Sequence, residues 1–411
     1  MPFAAKISHL NRHTLLFPLA LVLFEFAVYI ANDMAQPAML MVTQEFGASA
    51  AWVPLSMTWF IIGGAALSWL TGPLSDRIGR RPVMLTGVLF FIISSLATYL
   101  VHDIYSFMLL RLIQGMGLSL ISAVGYAAVQ ETFEEIAAIR VTALMANVAL
   151  LAPMVGPLAG AALIQVAPWR SCFLLIAVIG LISLTGLWKT MPETVNPDTP
   201  KAPIARIFHE YIDLFSQSHF MLAALTIPLL SMPLIGWIAL SPVLLVNDFG
   251  LSLLGYGLWQ LPILGSLLIG NFCLAHVAGR WPLGRSVQIG FIPVLLGLGL
   301  CLLSVILPQH ALPLLVAGIS IIAFAEGLSM AVLYRFALMA SPQSKGTVSA
   351  GMAVLSMLCY ALGIEILRLA YLTWQMNGFT LAMSALVLVY LLMAKPLIRN
   401  EMRLRAKEVA T

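Results

Sequence analysis

Long apolar runs separated by short polar ones set the pattern of this chain. A helix rising about 1.5 Å per residue needs about 20 mostly apolar residues to cross the hydrocarbon core of a bilayer. Runs of that kind cover 15–42, 52–72, 83–101, 105–127, 139–165, 170–190, 219–247, 254–275, 286–306, 311–338, 347–370 and 374–397, which predicts twelve spans. The longest polar stretch, 191–218, falls between the sixth run and the seventh. Pro192, Glu193, Pro197, Asp198, Lys201, Pro203 and Arg206 give it the character of a linker. The expected organisation is a six-helix half over 1–190, a cytoplasmic linker over 191–218, and a second six-helix half with a basic tail over 219–411. The first run follows Lys6 and Arg12 as a signal peptide would. It is too long for such a core and shows no cleavage site, so it reads as a retained first helix.

Composition turns this pattern into a class. Hydrophobic residues make up 61% of the chain and charged residues 9%, against roughly 25% charged in an average soluble domain. A water-soluble fold has to present a polar exterior, so the chain reads as an all-α membrane protein in contact with lipid. The net charge of +4 is small and its basic residues are spread thinly, which argues against nucleic acid as a partner. Cys172, Cys273, Cys301 and Cys359 sit in apolar runs at no metal-ligand spacing, so no metal is expected and they read as small packing residues.

The basic residues orient the chain. With the N-terminus in the cytoplasm, all of the 21 lysines and arginines except Arg111, Arg170 and Arg368 fall in cytoplasmic segments. The reverse topology would place Arg77, Arg80, Arg81 and the tail from Lys395 to Lys407 outside. Both termini are therefore expected in the cytoplasm. The halves also echo each other. A shift of 200 residues lays Leu74, Gly79, Arg80 and Pro82 on Leu274, Gly279, Arg280 and Pro282, with His276 falling where Asp76 stands. Both sets follow the second helix of a half. Parallel repeats of this kind build many secondary transporters, whose solute site lies between the halves near the membrane midplane.

Charges inside apolar spans carry the most information, because burying one costs at least about 2.5 kcal/mol. Glu25, Tyr29, Asn32 and Asp33 stand at i, i+4, i+7 and i+8 of the first helix and form one stripe. Its two acids lie about 12 Å apart along the axis. Such a stripe faces the bundle interior or a water-filled cavity; it either holds helices together or binds protons and substrate. In the fourth helix Arg111 lies about 10 Å deep, matching the depth of Asp33, about 13 Å, better than that of Glu25. An arginine nearby favours an ionised carboxyl, and isolation in apolar surroundings favours a neutral one. Arg111 is thus expected to pair with Asp33, directly or through water, leaving Glu25 as the readier proton carrier.

Three further groups stand out. The loop Gly72-Pro-Leu-Ser-Asp76-Arg77-Ile-Gly79-Arg80-Arg81-Pro82 holds one acid and three bases, and Glu131, Glu134 and Glu135 follow the fourth helix on the same side. These charges are either solvated or a latch whose ion pairs hold one conformation, with Asp76 available to cap a helix N-terminus. In the fifth helix Pro153 and Pro157 stand one turn apart, as do Gly156 and Gly160. Packing and gating are equally open to them. In the second half Glu326 lies mid-span, either as a hydrogen-bonded core acid or as an extra titratable site. Glu365 and Arg368 read as a local interfacial pair, and Gln260 and Asn271 as possible cavity-lining residues.

No G-x-x-x-x-G-K-[S/T] loop is present, so ATP is not the energy source within this chain, and no T-V-G-Y-G filter suggests a potassium channel. Buried carboxylates without a nucleotide site point to coupling with protons or another ion. A membrane-embedded enzyme would need a catalytic cluster, but the seven histidines are scattered. An uptake symporter on the same scaffold is the nearer alternative.

With these residues in view, the chain resembles the major facilitator superfamily, and within it the twelve-helix drug/proton antiporters. Gly72–Arg81 is similar to that superfamily's loop motif, and Arg111-Leu-Ile-Gln114-Gly115-Met-Gly117 to its helix-four motif. Ala152-Pro153-Met-Val-Gly156-Pro157-Leu-Ala-Gly160 resembles the helix-five antiporter motif, with Ala152 and Ala161 where glycines are usual. Leu16–Met34, Pro73–Leu85, Gly125–Glu135, Thr142–Leu150 and Lys345–Ala350 resemble the multidrug facilitators of that group. The resemblance implies a protein of the bacterial inner membrane that exports lipophilic cations and neutral drugs such as chloramphenicol in exchange for protons; its oligomeric state stays open, with a monomer as the default expectation. It implies no cofactor beyond the coupling proton, and no enzymatic activity. It makes Glu25 and Asp33 the proton and substrate acids, Arg111 the structural or coupling arginine with Gln114 beside it in the motif, and Asp76, Arg80 and Glu131 the latch. Glu326 stands where an apolar residue is expected.

Overall fold

The computed structural model describes residues 7, 11, 14–195, 204–277 and 280–410, and all regular elements among them are helical. Lys6, Arg12, Gly279 and the linker residues Pro197, Asp198, Lys201 and Pro203 lie outside the described residues. The chain divides into two compact units, Met1–Ile207 and Phe208–Thr411.

Among the described residues, eleven helical stretches are long and apolar enough to cross a bilayer. The difference from the twelve expected runs lies at the end of the chain. Lys345–Asn400 counts as a single stretch of 56 residues, yet Trp374 (φ −135°, ψ 23°) and Gln375 (φ 51°, ψ −139°) leave helical geometry inside it. Gly378 lies against the Ala370 carbonyl, a position with no room for a Cβ, which lets the backbone approach itself closely across the break.

The first unit contains α1 (Leu16–Asp33), α2 (Ala35–Glu45), α3 (Trp52–Ile78), α4 (Arg80–Ala97), α5 (Ile104–Ser119), α6 (Tyr126–Thr132), α7 (Glu135–Val166) and α8 (Arg170–Thr190). The first apolar run is thus two helices, α1 and α2, divided at Met34. Pro37 has no N–H to offer the Asp33 carbonyl and crowds it, so the helix bends where its second acid stands. A π-helical segment, Leu120–Gly125, joins α5 to α6. α3 ends at Gly79, whose φ of 110° turns the chain directly into α4. α3 and α5 pack through reciprocal glycines, with Gly63 against the Leu112 carbonyl and Gly115 against that of Phe60. α1 packs against α7 and α8.

The second unit contains α9 (Ile204–Ser216) from Phe208 onward, α10 (Ser218–Pro242), α11 (Leu253–Val277), α12 (Arg285–Ile306), α13 (Ala311–Met339) and α14 (Lys345–Ala410). α13 is its centre, packed by α10, α11, α12 and α14. Gly270 and Gly327 bring α11 onto α13, and Gly297 and Gly318 bring α12 onto it. The short α9 lies on this unit, with Leu214 buried against Gly351 and its Glu210 carbonyl accepting from Gln343 Nε2 at 2.9 Å. In both units the outward residues are large and apolar, among them Phe90, Ile182, Leu296 and Leu392. Water would not tolerate that surface; lipid does.

Candidate functional site

α1 carries its acids into the interior of the first unit. Glu25, Asn32 and Asp33 are buried, and Tyr29 is half-buried. The Tyr126 hydroxyl donates to Glu25 Oε1 at 3.4 Å, while Glu25 Oε2 is buried and has no partner. Eight residues on, Asn32 Nδ2 donates to Asp33 Oδ1 at 3.1 Å.

Arg111 is fully buried, and its donors are spread over two other helices and its own. Nε donates to Ser56 Oγ at 3.0 Å, and Nη1 to the Ala31 carbonyl at 3.1 Å and to Gln114 Oε1 at 2.9 Å. Nη2 reaches Asn32 Oδ1 at 3.4 Å, and the guanidinium lies 4.6 Å over the Phe60 ring. Gln114 in turn donates to the Ser94 carbonyl at 3.3 Å, which fixes its amide. Arg111 and Asp33 are therefore joined through the Asn32 amide, with no direct ion pair between them. The reason is competition: Ser56, the Ala31 carbonyl and Gln114 already occupy the guanidinium fork. Ser56 and Ala31 were invisible as partners in the sequence, since one lies on α3 and the other contributes only backbone.

The glycines of α7 press on the same place. A Cβ at Gly156 would lie 2.6 Å from Asp33 Cβ, and one at Gly160 would lie 2.5 Å from the Met34 carbonyl oxygen and 3.0 Å from Pro37 Cγ. The motif thus seats α7 directly on the bend that presents Asp33. Pro157 removes the N–H that would meet the Pro153 carbonyl, so α7 lacks a ladder bond beside that contact.

At one end of this unit Arg80 is a buried hub. Its Nη2 lies 2.6 Å from Asp76 Oδ1 and 2.8 Å from Glu131 Oε1, its Nε donates to Glu131 Oε2 at 3.2 Å, and its Nη1 to Ser75 Oγ at 2.6 Å. Asp76 does not cap a helix as the sequence suggested it could; its carboxylate is held one turn away by Arg80. The cap of α4 is Glu193, whose carboxylate accepts the backbone N–H of Arg80 at 2.9 Å and of Arg81 at 3.2 Å. Gly79 leaves room for that carboxylate, which a Cβ would strike. Thr194 donates to Glu131, and Arg81 Nη2 to the Trp188 carbonyl. Glu193 and Thr194 read as linker residues in the sequence; the only signal was an acid and a hydroxyl placed directly after the sixth apolar run.

The other end has a clamp that the sequence did not single out. Trp169 Nε1 donates to Glu45 Oε2 at 2.6 Å and Arg170 Nη1 to Glu45 Oε1 at 2.7 Å, tying α2 to the start of α8. Partial burial works against the Glu45 charge, but these donors outweigh it and hold its carboxyl below the usual carboxylate range.

In the second unit Gln260 is buried and fully engaged, accepting from Trp237 Nε1 at 2.7 Å and donating to Ser241 Oγ at 3.1 Å. That amide braces α10 against α11 and leaves nothing to line a cavity. Asn271 is half-buried where Gly327 packs on its backbone nitrogen. Arg368 donates to both oxygens of Glu365, a pair closed within one turn. Glu326 is buried against Ser231.

The Major Facilitator Superfamily model matches residues 21–364, and the chain belongs to that family. Multidrug transporter MdfA of Yersinia pestis (bv. Antiqua, strain Angola) is 50% identical over 388 residues, covering 94% of this chain and 95% of that protein. MdfA of Edwardsiella piscicida is 47% identical, with 97% of each chain covered. The chloramphenicol resistance protein CraA of Acinetobacter baumannii is 45% identical, covering 98% of this chain and 97% of that one. A bacterial homologue of the human lysosomal transporter Spinster, solved in an inward-facing, unoccupied conformation, shares the fold. Its TM-score is 0.69 at 16% identity, over 95% of this chain and 97% of that one.

Proposed function

We propose that this chain is a multidrug efflux transporter of the drug/proton antiporter type, exporting lipophilic cations and neutral drugs such as chloramphenicol by alternating access. The observation that carries the reading is Glu25, a fully buried carboxyl with one bare oxygen and, among the described residues, no cation beside it, on the same helix as Asp33. The 45–50% identity to MdfA and CraA proteins over nearly the whole chain supports the same reading. Read at the break at Trp374–Gln375, the last apolar stretch is two spans, for twelve in all, six in each half. The halves are 1–190 and 219–411, joined by 191–218, and the boundary between the compact units falls inside that linker. The protein sits in the bacterial inner membrane as a monomer with both termini in the cytoplasm.

The cycle follows from charge and burial. A drug is drawn in by the burial of its apolar surface, and a cationic one also by carboxylate charge. The proton on Glu25 leaves as the cation binds, because an ionised carboxyl there has no other counter-charge among the described residues. Asp33 differs: the Asn32 amide links it to Arg111, so its charge is partly met within the protein. Re-protonation then displaces the drug on the far side, and since drug and proton compete, each weakens the other to the same extent. Arg80, with Asp76, Glu131 and Glu193, latches one conformation; Gly156 lets α7 follow the bend at Asp33.

Purified protein in weak buffer tests this directly. Addition of tetraphenylphosphonium should release protons from the wild type, less from Asp33→Asn, and least from Glu25→Gln. Release abolished in Asp33→Asn but intact in Glu25→Gln would reverse the assignment of roles. Efflux that persists with ATP present after the pH gradient is collapsed would overturn the antiporter reading itself.

A further inference from the structure

Among the described residues the second unit holds one buried acid, and this cycle leaves it unused. Glu326 lies near the middle of α13, a helix of 29 residues. Ser231 on α10 donates to its Oε1 at 2.6 Å, while its Oε2 is buried and has no partner. α10, α11, α12 and α14 pack around α13. From α10 Glu326 meets Ser231, and from α14 the phenols of Tyr360 and Tyr390 lie within electrostatic reach. Among the described residues, α11 and α12 bring no charged group against it.

A purely structural acid fits these surroundings poorly. About nine in ten buried polar groups in folded proteins are hydrogen-bonded. A neutral carboxyl needs an acceptor for its O–H, and an ionised one needs donors or a cation. Ser231 can serve Oε1 in either form, donating to it or accepting its O–H, but Oε2 has no protein partner in either: it is a bare carbonyl oxygen when the acid is neutral, and when ionised it has neither donor nor cation among the described residues.

The first unit shows the same one-sided arrangement. Glu25 takes a hydroxyl from Tyr126 on one oxygen and leaves the other bare. The shift of 200 residues that aligns the two loop motifs lays Glu326 on Tyr126 itself. In each half, then, the first and fourth apolar runs bring an acid and a hydroxyl together. The acid stands on the first run in one half and on the fourth run in the other. The register along the first runs is not the same, since Ser231 falls on Ala31 and not on Glu25. What recurs is the pair of helices and the chemistry between them.

We propose that Glu326, held by Ser231, is a second exchange site, which gives up a proton from its carboxyl when the cationic group of a drug comes to rest against Oε2. The step is balanced: the O–H bond breaks, the proton passes to water, and the carboxylate left behind meets the charge of the drug. The inference rests on the drug/proton reading above, and it adds a site for cationic substrates in the second unit.

Dicyclohexylcarbodiimide, which modifies protonated carboxyls in apolar surroundings, tests it on the intact wild-type chain without any substitution. Purified protein is labelled with and without tetraphenylphosphonium, and peptides carrying Glu25 and Glu326 are read separately by mass spectrometry. Both should be labelled, and the cation should lower labelling at each by about fivefold or more. Labelling at Glu326 that ignores the cation, while Glu25 is protected, would make Glu326 a core acid and overturn this inference alone. So would an unlabelled Glu326 beside a labelled Glu25. If Glu25 is not protected either, the antiporter reading fails and this one with it.

Discussion

Two loops that share a leucine, an arginine and a proline behave differently in the two units. In the first, Arg80 is buried and shared by Asp76, Glu131 and Ser75, with Glu193 on its backbone N–H. In the second, Arg280 is exposed and its Nη1 lies 3.1 Å from His276 Nε2. The leucine, arginine and proline of the motif recur, yet the aspartate has become a histidine, and Ala331 stands where a shift of 200 residues would put Glu131. The arginine of this loop becomes a fixed hub only when carboxylates surround it; otherwise it stays in water, where its charge is well solvated. Among the described residues, the duplicated motif therefore carries the buried ion-pair network at one copy only.

The largest expected effect comes from removing the arginine at each copy. Arg80→Ala takes the guanidinium from between Asp76 and Glu131 and leaves Ser75 without that donor, a loss of about 2 kcal/mol or more. Arg280→Ala should cost less than about 0.5 kcal/mol, as for an ordinary surface change. Thermal unfolding of the purified variants in detergent measures both, and drug efflux should fall away in the first and persist in the second. Equal losses would mean that the charge itself, and not the buried network, is what the motif supplies.

This contrast also marks where sequence reasoning reaches. The spans were legible because an apolar run of about 20 residues has few other uses, and the spacing of Glu25 and Asp33 defined their stripe by helical periodicity alone. The break at Trp374–Gln375 falls just past the gap expected between the last two runs, at 371–373. The bend at Met34 was not legible, because it sits inside one continuous run and is caused by Pro37 three residues later. Partners were the harder part. Ser56 meets Arg111 across 55 positions and Glu193 meets Arg80 across 113. No periodicity or local spacing connects residues that far apart. Arg111 was expected to reach Asp33 by depth, an argument that sees height in the membrane but not the Asn32 amide that stands between them.

A middle-sized effect should follow from Glu193. Its carboxylate closes the first turn of α4 and holds the chain after α8 against the hub. Glu193→Ala removes both the acceptor and the negative charge at a helix N-terminus, which costs about 1 kcal/mol. Glu193→Gln keeps an acceptor oxygen and should recover roughly half of that. The pair separates capping from charge in a single unfolding series. If both variants match the wild type, Arg80 is held by Asp76 and Glu131 alone.

The smallest effect comes from giving the second copy what it lacks. His276→Asp restores the acid that stands four residues before Arg80 in the first unit, and Arg280 is already in place. In water such an i, i+4 pair is worth about 0.3–0.5 kcal/mol. Salt should erase it, since charges that far into solvent are screened within about 3 Å at 1 M. Arg80, with its partners drawn in around it, should lose much less of its contribution at the same salt. The variant should therefore gain slightly in low salt, gain nothing in high salt, and export drug as the wild type does. A gain that survives 1 M salt would show that Arg280 can be drawn into a buried pair by a single acid. The histidine, and not the missing counterpart of Glu131, would then be what keeps the second copy open.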